Sequence, residues 1–209
     1  MTRLIDRPMG MRLALFAGAA TAVLGIVGLA GIVSKSLMEI AAITGGLALL
    51  GYGGEMAGRV AALAGRLSEE EAKRLSEAGI ENGGYSAVQS AGAAGVILGI
   101  LALLGVASDS LPSITAIVLG GALVYSVGST NRLLALAIEE VGLSPMARMV
   151  AREHVTSASG GYVLAGMASG TLGILAIVIT GSATVLTLVA FLALGLALLG
   201  GAMLMSVSS

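Results

Sequence analysis

The chain has 209 residues, of which 56% are hydrophobic and 11% charged, with a net charge of −1, a single histidine and no cysteine. Its mean hydropathy of +1.00 excludes an ordinary soluble domain, in which about a quarter of the residues are charged, and predicts an integral membrane protein. Lack of cysteine rules out a disulfide framework or a thiolate metal site, and no basic patch is present to hold nucleic acid.

Taken in chain order, Arg3 and Arg7 lie in a short lead-in broken by Pro8 and Gly10. Six apolar stretches follow, at about 13–33, 37–57, 86–106, 111–131, 160–180 and 184–206. Each comes close to the ~20 residues that cross a hydrocarbon core as a helix. Basic residues precede the first stretch, but it is span-length and five more follow, which argues against a cleaved signal peptide. Between the second and third stretches, Ser68 and Glu71 form a capping box, Ala72 and Leu75 share an apolar face, and Gly79 can end a helix. Between the fourth and fifth, Ser144 and Pro145 make a helix start, with Met146, Met149 and Val150 on one face and Arg148 and Arg152 on another. Both connections are expected as amphipathic helices, at 68–80 and 144–154, lying on the inner membrane surface or on a partner.

The six stretches are not independent. Leu98–Leu123 repeats Leu24–Leu49 at a distance of 74 residues with about half of the positions identical, and Leu172–Leu198 repeats both at 74 or 75. Each copy is an apolar run, a short polar break and a second apolar run, which reads as a helical hairpin. The expected architecture is therefore all-α and polytopic, with six transmembrane helices built as three repeated hairpins. Repeat 1 covers about 11–66, repeat 2 about 84–140 and repeat 3 about 158–209, within a single membrane domain.

Small residues recur at fixed places. Gly25, Gly99 and Gly173 match in the first spans of the hairpins, and Gly46, Gly120 and Gly195 match in the second spans. Lipid supplies no hydrophobic force between helices, so small residues that let backbones approach are expected to form the helix contacts. At the hairpin turns, Ser36 with Glu39 makes an S-x-x-E capping box, Ser110 precedes Pro112, and Thr184 takes the equivalent place. Glu39 then reads as a helix-start residue among the outer headgroups, in preference to an ion ligand.

Ten of the eleven cations precede span 1 or lie in the two long connections, and only Lys35 falls in a hairpin turn. By the positive-inside rule both termini and both connections are cytoplasmic. Near that side, Glu55, Tyr125, Ser129 and Asn131 are a candidate polar vestibule, with interhelical hydrogen bonding as the plainer account. Glu55 is followed by Arg59 in the order that favours an i,i+4 pair. The single histidine, His154, follows Glu153 in a connection, and no metalloprotease, serine-hydrolase or phosphate-loop motif is present. No catalytic residue, cofactor or metal is expected.

The L-G-I runs at Leu24–Ile26, Leu98–Ile100 and Leu172–Ile174, each followed by a second run that ends in G-x-A-L, resemble the HdeD-like short-repeat membrane proteins of the acid-resistance family. The resemblance implies a small multi-pass protein of a bacterial or archaeal inner membrane, linked to stress tolerance, with no catalytic residues to carry over. The reading favoured by the residues is a non-enzymatic structural, accessory or partner-binding subunit. Its expected partners are the lipid bilayer and other membrane subunits or a second copy, not nucleic acid. A small-molecule or ion transporter or channel is the alternative.

Overall fold

The computed structural model describes residues 9–31, 34–65, 84–140 and 145–207. Six α-helices occur among them: α1 Met9–Leu29, α2 Ser34–Ala64, α3 Gly84–Leu103, α4 Leu111–Glu140, α5 Pro145–Val178 and α6 Ala183–Val207, with a short 3₁₀ turn at Thr180–Ser182 before α6. No strand occurs among the described residues. Five helices are long and apolar enough to cross a membrane, over Gly10–Leu29, Lys35–Gly58, Ser86–Leu103, Gly160–Val178 and Ala183–Gly200. In α4 the corresponding apolar stretch among the described residues is shorter, Leu111–Val127. The protein is a multi-pass, all-α membrane protein.

Local chemistry sets the helix ends. Gly31 and Gly105 take left-handed backbone conformations, with φ of +83° and +84°, which a residue lacking Cβ adopts without strain. In both, the glycine N–H returns to a carbonyl of the last turn, Gly28 at 3.1 Å and Ala102 at 2.9 Å, so α1 and α3 close with glycine caps. At the start of α4 the Ser110 carbonyl accepts the Ile114 N–H at 3.0 Å. Pro112 follows within the first turn, where its missing N–H costs no helical bond.

The helices form a closed ring in chain order, each touching the next and α6 returning to α1. Helices α2, α4 and α6 also touch one another and make the inner set. Their shared interior is tightly filled. Phe191 and Leu194 from α6, Leu119 and Leu123 from α4, and Leu49 from α2 are completely buried. Large and small residues offset each other there: Ala42 and Ala116 are also fully buried, and Gly45 leaves room for Leu119 and Phe191, whose side chains lie 3.2 and 3.9 Å from where its Cβ would be. The outward faces carry Phe16, Ile26, Ile97, Ile100, Leu164 and Ile174, an apolar surface suited to lipid.

Two boundaries differ from the sequence expectation. α5 runs unbroken from Pro145 to Val178, so residues expected as a separate surface helix over 144–154 continue directly into span 5. The helix does begin at Pro145, but nothing between there and the span breaks it: Gly160 and Gly161 are helical in this context. α2 begins at Ser34, ahead of the expected cap at Ser36. The other connection, 68–80, lies outside the described residues.

Candidate functional site

The six glycines singled out by their spacing all stand at helix crossings. A Cβ at Gly46 on α2 would come within 2.7 Å of the Gly92 carbonyl oxygen on α3. At Gly120 on α4 it would come within 2.6 Å of the Gly166 carbonyl on α5, and at Gly195 on α6 within 2.6 Å of the Ala22 backbone nitrogen on α1. The other set behaves alike. Gly99 faces Ile43 and the Glu39 carbonyl, Gly173 faces Ile117 and the Ser113 carbonyl, and Gly25 faces Leu192 and the Leu188 carbonyl. Thus α3 packs on α2, α5 on α4 and α1 on α6 with backbone against backbone, an approach that a side chain of any size would prevent.

Charged and tyrosine side chains lie towards the two ends of the leucine and phenylalanine layer. At the end that carries the turns after α1 and α3, Lys35 Nζ and Asp109 Oδ1 form an ion pair of 2.8 Å. Below it, Ser113 Oγ and Thr187 Oγ1 share a hydrogen bond of 2.8 Å that ties α4 to α6. Glu39 lies in the second turn of α2 with 6% of its surface exposed, against 1% for Ser113 and 0% for Thr187. The residue is therefore packed inside the helix set. The capping-box pattern is a local rule, and here the helix starts two residues earlier and brings this residue against its neighbours. Thr184, expected as a cap, is the second residue of α6, whose start follows the 3₁₀ turn.

Towards the opposite end, Tyr52 on α2 and Tyr162 on α5 pack across the bundle with ring centroids 5.6 Å apart and planes at 46°, a tilted geometry favoured by aromatic pairs. Both are buried. Tyr162 Oη and Arg12 Nε are buried without a hydrogen-bond partner. Glu55 is half-buried and lies against α1, its Cβ 3.4 Å from where a Cβ of Gly10 would be.

The residues proposed for a polar vestibule are not brought together by the described part of the structure. Tyr125 is 60% exposed and points away from the interior, while Ser126 beside it is buried and bonds to its own helix at the Leu123 carbonyl, 2.7 Å away. Ser129 and Asn131, like Arg59, have side chains outside the described residues. Sequence reading missed the Tyr52–Tyr162 contact and the Ser113–Thr187 bond. The second had a visible signal, since its partners are separated by one repeat period of 74 residues. The first had none, because the tyrosines occupy unrelated positions in different copies.

Further hydroxyls act as glue between helices. Thr21 on α1 bonds Thr44 on α2 at 2.9 Å, and Ser169 on α5 bonds the Ala116 carbonyl on α4 at 3.0 Å. Among the described residues no group of three or more His, Cys, Asp or Glu could hold a metal ion. Comparison with protein-family models, curated proteins and solved structures gives no match.

Proposed function

We propose that the chain is a six-span membrane protein of three pseudo-equivalent hairpins closed into a ring, acting as a non-enzymatic structural, accessory or partner-binding subunit. The hairpin reading is supported by matching environments. Ala41, Thr115 and Ala190 are all fully buried, as are Leu49, Leu123 and, to within 1%, Leu198, and these follow the repeat spacing of 74 and then 75. Gly31 and Gly105, one period apart, take the same left-handed turn.

The observation that carries the functional reading is the close apolar packing of Leu49, Leu119, Leu123, Phe191 and Leu194, beside which the polar side chains are hydroxyls already bonded between helices, Thr21 to Thr44 and Ser169 to the Ala116 carbonyl. An ion or proton path needs ionisable groups at that depth. The subunit works within the lipid bilayer, alongside other membrane subunits or a second copy, in a bacterial or archaeal inner membrane with both termini cytoplasmic. The HdeD-like resemblance supports a link to stress tolerance.

The transporter reading is favoured by one observation, an acidic residue, Glu39, packed inside the helix set with 6% of its surface exposed. Purified protein reconstituted in liposomes separates the two. The accessory reading expects no proton or cation flux above that of empty vesicles, and expects Glu55→Gln to leave insertion and folding intact. Flux that Glu55→Gln or Glu39→Gln abolishes would establish a transporter instead.

A further inference from the structure

The three crossings that join one hairpin to another are unequal in bulk. Gly46, Gly120 and Gly195 stand at them, and the backbone nitrogens of Val96, Gly170 and Ala22 lie 2.7, 2.9 and 2.6 Å from the respective Cβ positions. Those three partners occupy matching places in the repeat, and of them only Gly170, at the α4–α5 crossing, has no side chain. The residue after each crossing glycine varies in the same way: Leu47 on α2 and Leu196 on α6, but Gly121 on α4. A Cβ added at Gly121 or at Gly170 would meet nothing within 4 Å. Relative to the α2–α3 crossing, the α4–α5 crossing therefore lacks a whole leucine and a whole valine side chain.

The open space faces the bilayer. Ser169, next to Gly170, is fully buried and bonds the Ala116 carbonyl at 3.0 Å, so its side of the crossing belongs to the filled interior. Gly121 is exposed and Gly170 half-buried. Met167 and Ile174, three before and four after Gly170, are 58% and 55% exposed, and Tyr125, four after Gly121, is 60% exposed. Residues at these spacings share a helix face, so the two glycines floor a notch whose edges are taller side chains. Gly121 lies ten residues along α4 from Leu111. At 1.5 Å per residue that is about 15 Å, the mid-depth of a hydrocarbon core ~30 Å thick.

We propose that this notch binds one acyl chain of a membrane phospholipid. Water is absent from the bilayer core at that depth, and the notch is continuous with the apolar surface that the protein presents to lipid, so its occupant comes from within the bilayer. A partner helix, about 10 Å across with its side chains, is held off the floor by Met167, Ile174 and Tyr125. A polymethylene chain is narrow and flexible enough to pass between them, and it runs along the membrane normal as the seam between two spanning helices does. An unfilled notch forfeits dispersion contacts on one side of its lining. The acyl chain restores them, taking the place that Leu47 and Val96 fill at the α2–α3 crossing, and becomes a component of the joint between the second and third hairpins. The inference requires that the chain spans the bilayer, and it holds for an accessory subunit and a transporter alike.

The test is photolabelling of the full chain in phosphatidylcholine vesicles that contain a small fraction of a phosphatidylcholine with a diazirine at the end of one acyl chain. Adducts are located by mass spectrometry of peptides. Residues 114–125 of α4 and 167–174 of α5 should be labelled roughly fivefold more than the matching residues 40–51 of α2 and 93–100 of α3, a modest excess because only added dispersion contacts supply it. Gly121→Leu with Gly170→Val, which installs the side chains of the first repeat, should remove the excess. That variant should keep its Tm, since neither added Cβ meets anything within 4 Å. Equal labelling of the two seams overturns the site, as does an excess that survives the double substitution. A seam labelled less than its counterpart, with cysteine at 121 crosslinking two chains, assigns the notch to a second copy and overturns the lipid. If the double variant does not insert, the comparison of seams in the unmodified protein decides, together with Gly170→Ala, which should reduce the excess.

Discussion

Ser113 and Thr187 stand 74 residues apart in the chain and 2.8 Å apart in space. Lys35 and Asp109, at the same chain separation, are also joined at 2.8 Å. In a ring of equivalent units, side chains at matching positions meet only when they lie near the axis that relates the units. Both contacts therefore mark the centre of the end that carries the hairpin turns. Cysteine at both 113 and 187 should form a disulfide on mild oxidation, because side-chain atoms already in contact satisfy the short Cβ separation that the bond needs. The unmodified chain has no cysteine, so the background is clean. After cleavage at a protease site engineered at residues 141–144, the two fragments should stay linked until reduced, and failure to crosslink would count against the ring.

The glycine crossings predict a graded response to one added methyl group. Gly46→Ala, Gly120→Ala and Gly195→Ala each place Cβ within 2.6 or 2.7 Å of another helix's backbone. Helices must separate to admit it, at a cost of about 1–3 kcal/mol. Gly121→Ala, beside one of these but with nothing within 4 Å, should leave stability unchanged or raise it by up to ~1 kcal/mol through helix propensity. Thermal unfolding in detergent measures the difference, and similar losses at Gly120 and Gly121 would remove the packing explanation.

Phe191 is the largest side chain in the fully buried set, and the room it fills borders Gly45, which has no side chain to move into that space. Little around it can collapse into the space it fills. Phe191→Ala should cost about 3–5 kcal/mol, more than Phe16→Ala, whose side chain is 70% exposed and faces outward. Comparable effects of the two substitutions would mean that the inner set of helices is not closely packed.

Ten of eleven cations lie on one side of the expected spans, which fixes an expected topology. Reporter fusions after Gly79, Arg152 and Ser209 should give a cytoplasmic signal, and fusions after Lys35, Asp109 and Gly181 the opposite one. A fusion at Ser209 that reports the outer side breaks the count of six, with α4 the first helix to reconsider because its described apolar stretch is the shortest.

Much of the helix framework could be read from spacing because the repeat states each crossing three times. Gly46, Gly120 and Gly195 are conspicuous through their period, and close approach is the ordinary use of glycine in lipid. What escaped were features decided by tertiary packing. The Ser36 and Glu39 pattern signals an exposed helix start, yet which side of α2 faces inward depends on α3 and α4, which no local rule contains. Tyr52 and Tyr162 meet because α5 lies across the bundle from α2, and their flanking glycines resemble ordinary helix punctuation. Tyr125, a candidate for the polar vestibule, is exposed while its neighbour Ser126 takes the buried position, one residue and about 100° of helix rotation away.

Contact between α1 and α6 sets an order of events during synthesis. The face of α1 that carries Gly18, Gly25 and Gly28 is covered by Leu198, Leu192 and Leu188, residues made more than 150 positions later in the chain. The other two interhairpin crossings join helices that are consecutive in sequence and can form as soon as the second helix is inserted. The first helix must wait, with its glycine face turned to lipid or to whatever insertion factor shields it, until the last helix arrives. A ribosome stalled before α6 leaves that face open, so the nascent protein carries a marker of incompleteness at its own N-terminal helix.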